Sequence, residues 1–158
     1  MGVLLMIKNI NVYEEYATKI FNGTKHIELR KKSMGVKKND LILIYEPKPY
    51  KQIRGGFVVD SVVCDTPNNL WNRYHQIMGV DKKFYSEYYD DVQTAWGFLI
   101  SDIFLFTNRY SDEILDEISY IPPQGISYWN LPLSKDLELF CQEKNIKPNI
   151  KSIQLELF

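Results

Sequence analysis

Short apolar runs separated by turn residues recur along the sequence and constrain the fold more than any other feature. Strands are predicted at residues 3–7, 26–30, 41–45, 55–63 and 94–106, because these runs are rich in β-branched and aromatic residues or alternate polar with apolar positions. Strand and helix do not alternate regularly, which argues against a doubly wound parallel sheet. The sequence therefore predicts an α+β fold or a small β-barrel.

Amphipathic patterns between these runs predict helices. They are expected at residues 12–21, 67–78, 81–89 and 135–144, with N-caps at Asn11, Thr66 and Ser134. Residues 112–118 fit a helical turn or an extended edge equally well, and we favour an irregular edge segment. The Pro-Pro-Gln-Gly sequence at 122–125 predicts a loop, and residues 152–158 alternate like a final strand.

The length of 158 residues predicts a single domain, with a core over about residues 3–130 and a C-terminal helix and strand over 131–158. No run approaches the roughly 20 apolar residues of a membrane span, and the first apolar run is too short for a signal peptide. Cys64 and Cys141 stand far apart without a neighbouring Cys or His, and His26 and His75 lack ligand spacing. We therefore expect a cytoplasmic protein with reduced, buried thiols and without a metal or other cofactor.

The charge of the chain is distributed unevenly. The formal net charge of −1 excludes a protein that coats nucleic acid by bulk electrostatics. Basic residues nevertheless concentrate in the first third of the chain, whereas acids dominate from residue 81 to residue 117. Any contact with a polynucleotide must therefore come from a local patch.

The most informative charges follow the first predicted helix. Gly23 ends that helix and leads to Lys25, and Glu28 and Arg30 project from the same face of the next strand because they are two residues apart. Arginine offers a bidentate fork to a phosphate or base edge, glutamate accepts hydrogen bonds from amino groups, and lysine supplies a mobile charge. The alternative is a solvated strand face with an ordinary surface ion pair between Glu28 and Arg30.

The spacing of these residues resembles a known family. Gly-x-Lys-x-x-Glu-x-Arg at 23–30 is similar to the signature of the ASCH domain, and the supporting motifs follow in the usual order. These motifs are Asp40-x-x-x-x-Tyr45, Ile53-x-Gly55, and Pro122-Pro123-Gln124 followed by Tyr128. The resemblance covers residues 3 to about 130.

Membership of that family implies a PUA-like mixed β-barrel surrounded by helices, with a cleft that binds RNA, other single-stranded nucleic acid or nucleotides. Some members are reported as nucleases, and a small bacterial group removes the acetyl group of N4-acetylcytidine. Lys25 matches the lysine of those deacetylases, but Glu28 stands where they have threonine, and their acidic residue falls near Gly79, with Glu87 as a spatial substitute. In a hydrolase, Lys25 is expected to act as base, with its pKa lowered by Arg30, and Glu28 to carry a proton.

Further candidate ligand residues come from the aromatic and polar positions near these motifs. Tyr45, at a strand end, and Tyr128, after the proline loop, are the favoured surfaces for stacking a base, although core packing is the commoner role of such residues. Gln124 can read a base edge or stabilise the turn. Arg54 belongs to the basic region and is included in the predicted ligand site.

The last residues have a separate resemblance. The sequence at 154–158 is similar to the Gln-Leu-x-Leu-Phe peptide by which bacterial proteins dock on the DNA-polymerase sliding clamp. The alternative is a C-terminal strand that buries its alternate apolar side chains. The residues of the docking interpretation are Gln154, Leu155, Leu157 and Phe158.

Overall fold

The computed structural model describes residues 4–5 and 7–148. Within these residues the strands are β1 (Leu4–Leu5), β2 (Ile7–Asn11), β3 (Ile27–Arg30), β4 (Leu41–Glu46), β5 (Gln52–Asp65), β6 (Ala95–Tyr110), β7 (Ile126–Tyr128) and β8 (Lys147–Pro148). The helices are α1 (Glu14–Phe21), α2 (Pro67–Tyr74), α3 (Lys82–Tyr88), α4 (Asp112–Glu117) and α5 (Lys135–Glu143), and a 3₁₀ turn spans His75–Ile77. The fold is of the α+β class, as the sequence predicts.

A curled, six-stranded mixed sheet forms a half-barrel at the centre of the molecule, in the order β3-β6-β5-β4-β2-β7. Neighbouring strands are antiparallel except β2 and β4, which run parallel. Strands β1 and β8 form a separate parallel pair. The long strands β5 and β6 shift register three times, and such bulges let a strand bend around a core.

Apolar side chains pack on both faces of the sheet, as β4 illustrates. Leu41 and Leu43 point into a cluster that α4 and α5 cover, whereas Ile42 and Ile44 point into a cluster that α1 covers. A third cluster joins β3 to α2 and α3 through residues such as Ile27 and Leu70. The second and third helices thus stand beside β3, where Glu28 and Arg30 lie.

Two glycines allow the backbones of the central strands to approach each other. A Cβ atom on Gly55 would lie 2.0 Å from the carbonyl oxygen of Phe104, and one on Gly56 would lie 2.0 Å from that of Ile42. No side chain fits at these distances. The backbones of the central strands therefore approach each other closely at this pair.

Three local predictions are wrong. Asn11 is not an N-cap but the last residue of β2, because it pairs with Tyr45 in the parallel ladder, and α1 begins after Tyr13 without a side-chain cap. Residues 112–117 form α4 rather than an edge, since Ser111 caps the helix by accepting a hydrogen bond from the Ile114 amide. Cys64 is exposed, whereas Cys141 is buried as expected.

Other predictions from the sequence concern the helix caps, membrane spans and the C-terminal residues. Thr66 and Ser134 cap α2 and α5 by accepting hydrogen bonds from the amides of Asn69 and Leu137. No helix among residues 4–5 and 7–148 is long and apolar enough to cross a membrane. The strand and the clamp-docking peptide proposed for residues 152–158 lie outside the described residues, and both stay predictions.

Candidate nucleic-acid interface

The end of α1 and the start of β3 place Lys25 inside the molecule. Gly23 adopts a φ of +80°, and the amides of Thr24 and Lys25 both donate to the carbonyl of Lys19, which closes the helix. The amide of His26 then donates to the carbonyl of Ile77 at 2.8 Å, so the 3₁₀ turn lies against the segment that connects α1 to β3. The chain is therefore held on both sides of Lys25.

The Lys25 side chain is buried, with only 2% of its surface exposed. Its Nζ donates to the carbonyl of Met78 at 2.7 Å. Burial is the main reason why the pKa of Lys25 falls from its ordinary 10.5 to about 8; the charge of Glu28 opposes this, and Lys19 and Arg30 lower the pKa further. The predicted effect of Arg30 is present, but it is smaller than the effect of burial.

Glu28 and Arg30 form a hydrogen-bonded ion pair on β3. The Nε and Nη2 atoms of Arg30 donate to one carboxylate oxygen of Glu28 at 3.2 and 2.8 Å, and Nη2 also donates to the Asn11 carbonyl at 2.8 Å. The other carboxylate oxygen accepts from the Leu29 amide. Glu28 is 5% exposed, so this is a buried pair rather than the ordinary surface pair that the sequence left open.

Lys25, Glu28 and Arg30 line one cavity, of about 310 Å³, between α1, β3 and α3. This volume is at the small end of the range for ligand pockets, roughly 300–1,000 Å³, and suits a ligand of about one nucleotide. We refer to this cavity as the Lys25 cleft. Its remaining lining consists of Asn11, Val12, Tyr13, Tyr16, Leu29, Val80, Phe84 and Tyr88.

Four aromatic side chains form the walls of the Lys25 cleft. Tyr13, the residue just before α1, stands about one turn from Tyr16 on α1, and Phe84 and Tyr88 stand one turn apart on α3. The rings of Phe84 and Tyr88 are nearly parallel, at an interplanar angle of 7°, and Tyr16 lies 5.2 Å from Phe84. Lys25 Nζ lies 5.9 Å from the Tyr16 ring, a cation–π distance. Ring faces beside charged groups are suited to a planar, partly charged ligand.

These four aromatic residues are not among the ligand residues predicted from the sequence. The spacing of Tyr13 with Tyr16, and of Phe84 with Tyr88, indicates two helix faces, and that signal was available. The spacing does not predict that the two faces meet across β3, because α1 and α3 are about 60 residues apart in the chain. Glu87, the predicted acidic substitute, is exposed on α3 and does not line the Lys25 cleft.

Two predicted ligand residues lie outside the Lys25 cleft. Tyr45 is buried in the cluster that α4 and α5 cover, because it shares its face of β4 with Leu41 and Leu43. The centroid of its ring lies 5.3 Å from that of the Tyr120 ring. Arg54 holds the buried Glu46 through both carboxylate oxygens and donates to Thr18 Oγ1 at 2.8 Å. The structure brings neither side chain into the Lys25 cleft.

Gln124 and Tyr128 line a second cavity rather than the Lys25 cleft. Tyr128 ends β7, which pairs with β2, and Gln124 belongs to the loop before it. The predicted single site is therefore divided by the fold into two cavities. Neither holds a cluster for a metal, since no three His, Cys, Asp or Glu side chains come together within the described residues.

Comparisons with known proteins agree with this architecture. The crystal structure of ASCH from Zymomonas mobilis has a TM-score of 0.74 to this chain at 24% identity, and the match covers 87% of this chain and 94% of that one. A point mutant of the same protein matches with the same score over 88% of this chain and 96% of its own. A relative from Zymomonas mobilis subsp. mobilis named ASCH domain-containing ribonuclease is 25% identical over 120 residues, 75% of this chain and 81% of the relative.

The fold and the site define the class of protein, which is a PUA-like mixed β-barrel with a charged cleft walled by aromatic residues. The family follows from the sequence match, because the model of the ASCH domain matches residues 10–104, more than half of the chain. The chain belongs to the ASCH domain family.

Proposed function

We propose that the protein binds single-stranded RNA, one nucleotide of which occupies the Lys25 cleft. The observation that carries this proposal is the meeting of a buried ammonium, a buried ion pair and four aromatic rings in one cavity of about 310 Å³. Arg30 and Lys25 supply donors for a phosphate, and Glu28 accepts from an exocyclic amino group. The aromatic walls can stack a base without requiring a particular sequence. Single strands are favoured because their bases are free to enter such a cavity.

The test compares variants that remove charge but keep volume. Lys25→Met and Arg30→Gln are each expected to weaken binding of a fluorescein-labelled RNA hexamer at least tenfold, since hydrogen bonds to charged groups contribute about 1.5–3 kcal/mol. Lys135→Met, at an exposed lysine on α5, is the matched control for the loss of a positive charge. Fluorescence anisotropy gives the affinities, and circular dichroism checks the fold. Unchanged binding in folded Lys25→Met and Arg30→Gln would show that the Lys25 cleft is not the RNA site.

A second candidate function is cleavage of the bound RNA. It is favoured by the lowered pKa of Lys25, about 8, because an amine that is partly neutral near physiological pH can act as a general base. The relative at 25% identity is named a ribonuclease, which agrees with this chemistry. In such a reaction, neutral Lys25 takes the proton of the attacking hydroxyl or water, Arg30 holds the phosphate oxygens, and the Glu28 carboxylate relays that proton from the Lys25 ammonium to the leaving oxygen.

Cleavage of end-labelled RNA separates this candidate from binding alone. An enzyme should lose cleavage in Glu28→Gln but keep most of its RNA affinity, because the glutamine oxygen still accepts a hydrogen bond. Its rate should rise with pH up to about 8 as Lys25 loses its proton. Release of acetate from N4-acetylcytidine is the parallel assay for an amidohydrolase in the same cleft. RNA that stays intact and acetylated cytidine that is not turned over leave binding as the function.

A further inference from the structure

The second cavity lies between the 119–125 segment, β7 and the residues that follow β7. Its volume is about 430 Å³, larger than that of the Lys25 cleft. Two exposed apolar side chains stand on its rim, Ile121 at 83% and Tyr128 at 55% exposure. We refer to it as the Trp129 cavity. Its lining residues are Asn9, Ser119, Tyr120, Ile121, Pro122, Pro123, Gln124, Ser127, Tyr128, Trp129, Asn130 and Leu131.

The lining of the Trp129 cavity contains no Lys, Arg, Asp or Glu, yet it is rich in polar groups. This composition does not suit a phosphate, which needs positive charge or a converging set of backbone amides. An uncharged planar group with hydrogen-bonding edges suits it better. Amide side chains pair with base edges, and aromatic rings stack on base faces. The chemistry of the lining therefore fits a nucleobase without its phosphate.

One donor on a residue that lines this cavity lacks a partner. Trp129 is 2% exposed, and its indole N–H is the buried side-chain polar atom without a hydrogen bond in the part of the chain that the structure describes. A buried donor left unsatisfied costs about 1–3 kcal/mol, so a ligand acceptor at this position would be stabilising. By contrast, the Asn9 amide is fully engaged by Ser127 and Tyr120. Trp129 and the exposed Gln124 are thus two of the groups available to a ligand.

One residue connects the walls of the two cavities through hydrogen bonds. Asn11 lines the Lys25 cleft, and its carbonyl accepts a hydrogen bond from Arg30. Its amide side chain and backbone amide donate to the carbonyls of Pro123 and Gly125, in the loop that borders the Trp129 cavity. Asn11 therefore ties a wall of the charged cleft to the loop that borders the neutral cavity, and a third cavity shares Asn11 with the first and Tyr120 and Pro122 with the second.

We propose that the Trp129 cavity binds a second, unpaired nucleobase of the RNA strand whose neighbouring nucleotide lies in the Lys25 cleft. Tyr128 stacks on the base, Gln124 pairs with its edge, and Trp129 donates to one of its ring or carbonyl acceptors. The inference rests on the proposed function and adds a division of labour to it. The charged cleft holds a nucleotide with its phosphate, and the neutral cavity selects among bases.

The experiment compares a long and a short probe. The double variant Gln124→Ala/Tyr128→Ala alters two exposed side chains, and Tyr50→Ala, at a tyrosine of 47% exposure that lines neither cavity, is the matched control. We expect the double variant to bind an RNA hexamer about tenfold more weakly, since stacking contributes about 1–3 kcal/mol per base. Binding of nucleoside monophosphates to the Lys25 cleft, measured by calorimetry, should stay unchanged.

A second readout follows Trp129 directly. In ¹⁵N-labelled protein, the indole N–H resonance assigned through Trp129→Phe should shift on titration with the hexamer and stay in place with a monophosphate. An unmoved resonance, together with wild-type hexamer affinity in the double variant, overturns the second subsite but leaves the RNA-binding proposal intact. An equal loss for both probes also overturns it, because one merged site would explain that result. If the wild-type protein binds no RNA, the proposed function fails and this inference fails with it.

Discussion

Lys25 combines deep burial with a charge, and this combination makes its contribution to stability depend on pH. The folded state lowers the pKa of Lys25 to about 8, while the unfolded chain keeps the ordinary value near 10.5. Between these values the unfolded state binds more protons, so the stability of the folded protein rises with pH across this window. Below it, the buried ammonium is destabilising, and its retention is consistent with a role in ligand binding.

Replacement of Lys25 by methionine should therefore stabilise the unliganded protein. The free energy of unfolding of Lys25→Met is expected to exceed that of the wild type at pH 7 by up to roughly 3 kcal/mol, at about 1.4 kcal/mol per pKa unit. The advantage should shrink as the pH rises from 8 to 10.5. Urea titrations across this range measure it, with Lys135→Met as the control for charge loss. A difference that is independent of pH would contradict the lowered pKa.

The Glu28–Arg30 pair should be costly to break from one side. Arg30→Ala leaves the buried carboxylate of Glu28 without its main partner, and we expect a loss of about 3 kcal/mol in the free energy of unfolding. The double variant Glu28→Gln/Arg30→Met should lose less, because no charge is left unpaired. The comparison is Lys31→Ala, which breaks the exposed pair with Asp91 and should cost below about 1 kcal/mol. Equal losses at both pairs would place Glu28 in solvent.

At the scale of elements, the turn that precedes α3 fixes the position of Lys25. Gly79 has a φ of +66°, and a Cβ atom there would lie 2.9 Å from the Cβ of Lys25. Its carbonyl also accepts a hydrogen bond from Lys19 at 2.8 Å, so the turn is tied to the end of α1. The element that closes the cleft thus depends on a residue without a side chain.

Gly79→Ala should therefore affect stability and binding together. The left-handed conformation costs about 1–2 kcal/mol for alanine, and the clash displaces Lys25, so RNA affinity should fall as well. Gly23→Ala is the matched control, because Gly23 has a φ of +80° and nothing lies within 4 Å of its added Cβ. It should lose similar stability and keep its affinity. Melting curves and anisotropy distinguish the two effects, and equal affinities in both variants would exclude the positional role of Gly79.

At the scale of the whole molecule, the charge distribution sets how RNA binding responds to salt. The net charge is −1, and the Lys25 cleft offers only Lys25 and Arg30 to phosphates. For single strands, log K falls with log salt at a slope of about −0.7 per neutralised phosphate. We therefore expect a slope of about −0.7 to −1.4 for the hexamer. Anisotropy between 50 and 300 mM KCl, roughly the range in which such slopes are measured, provides the number. A slope steeper than about −3 would indicate a broad basic surface instead.

The sequence by itself determined the features of this architecture that depend on local geometry. The periods of the strands, the caps at Thr66 and Ser134, and the shared face of Glu28 and Arg30 all depend on residues a few positions apart. The close approach at Gly55 and Gly56 follows from the absence of a side chain. Short-range geometry is encoded wherever a residue and its partner are neighbours in the chain.

Other features were decided by the tertiary structure, because they depend on contacts between distant segments. Asn11 was predicted to be an N-cap but is a strand residue, because it pairs in parallel with a residue of β4. Tyr45 lies on a face of β4 that helices cover, so its side chain is buried in the core. Gln124 and Tyr128 line a second cavity, because β7 pairs with β2. The burial that lowers the pKa of Lys25 involves Met78 and Gly79, more than 50 residues later in the chain. Desolvation is a property of the packed surroundings, so no local pattern contains it.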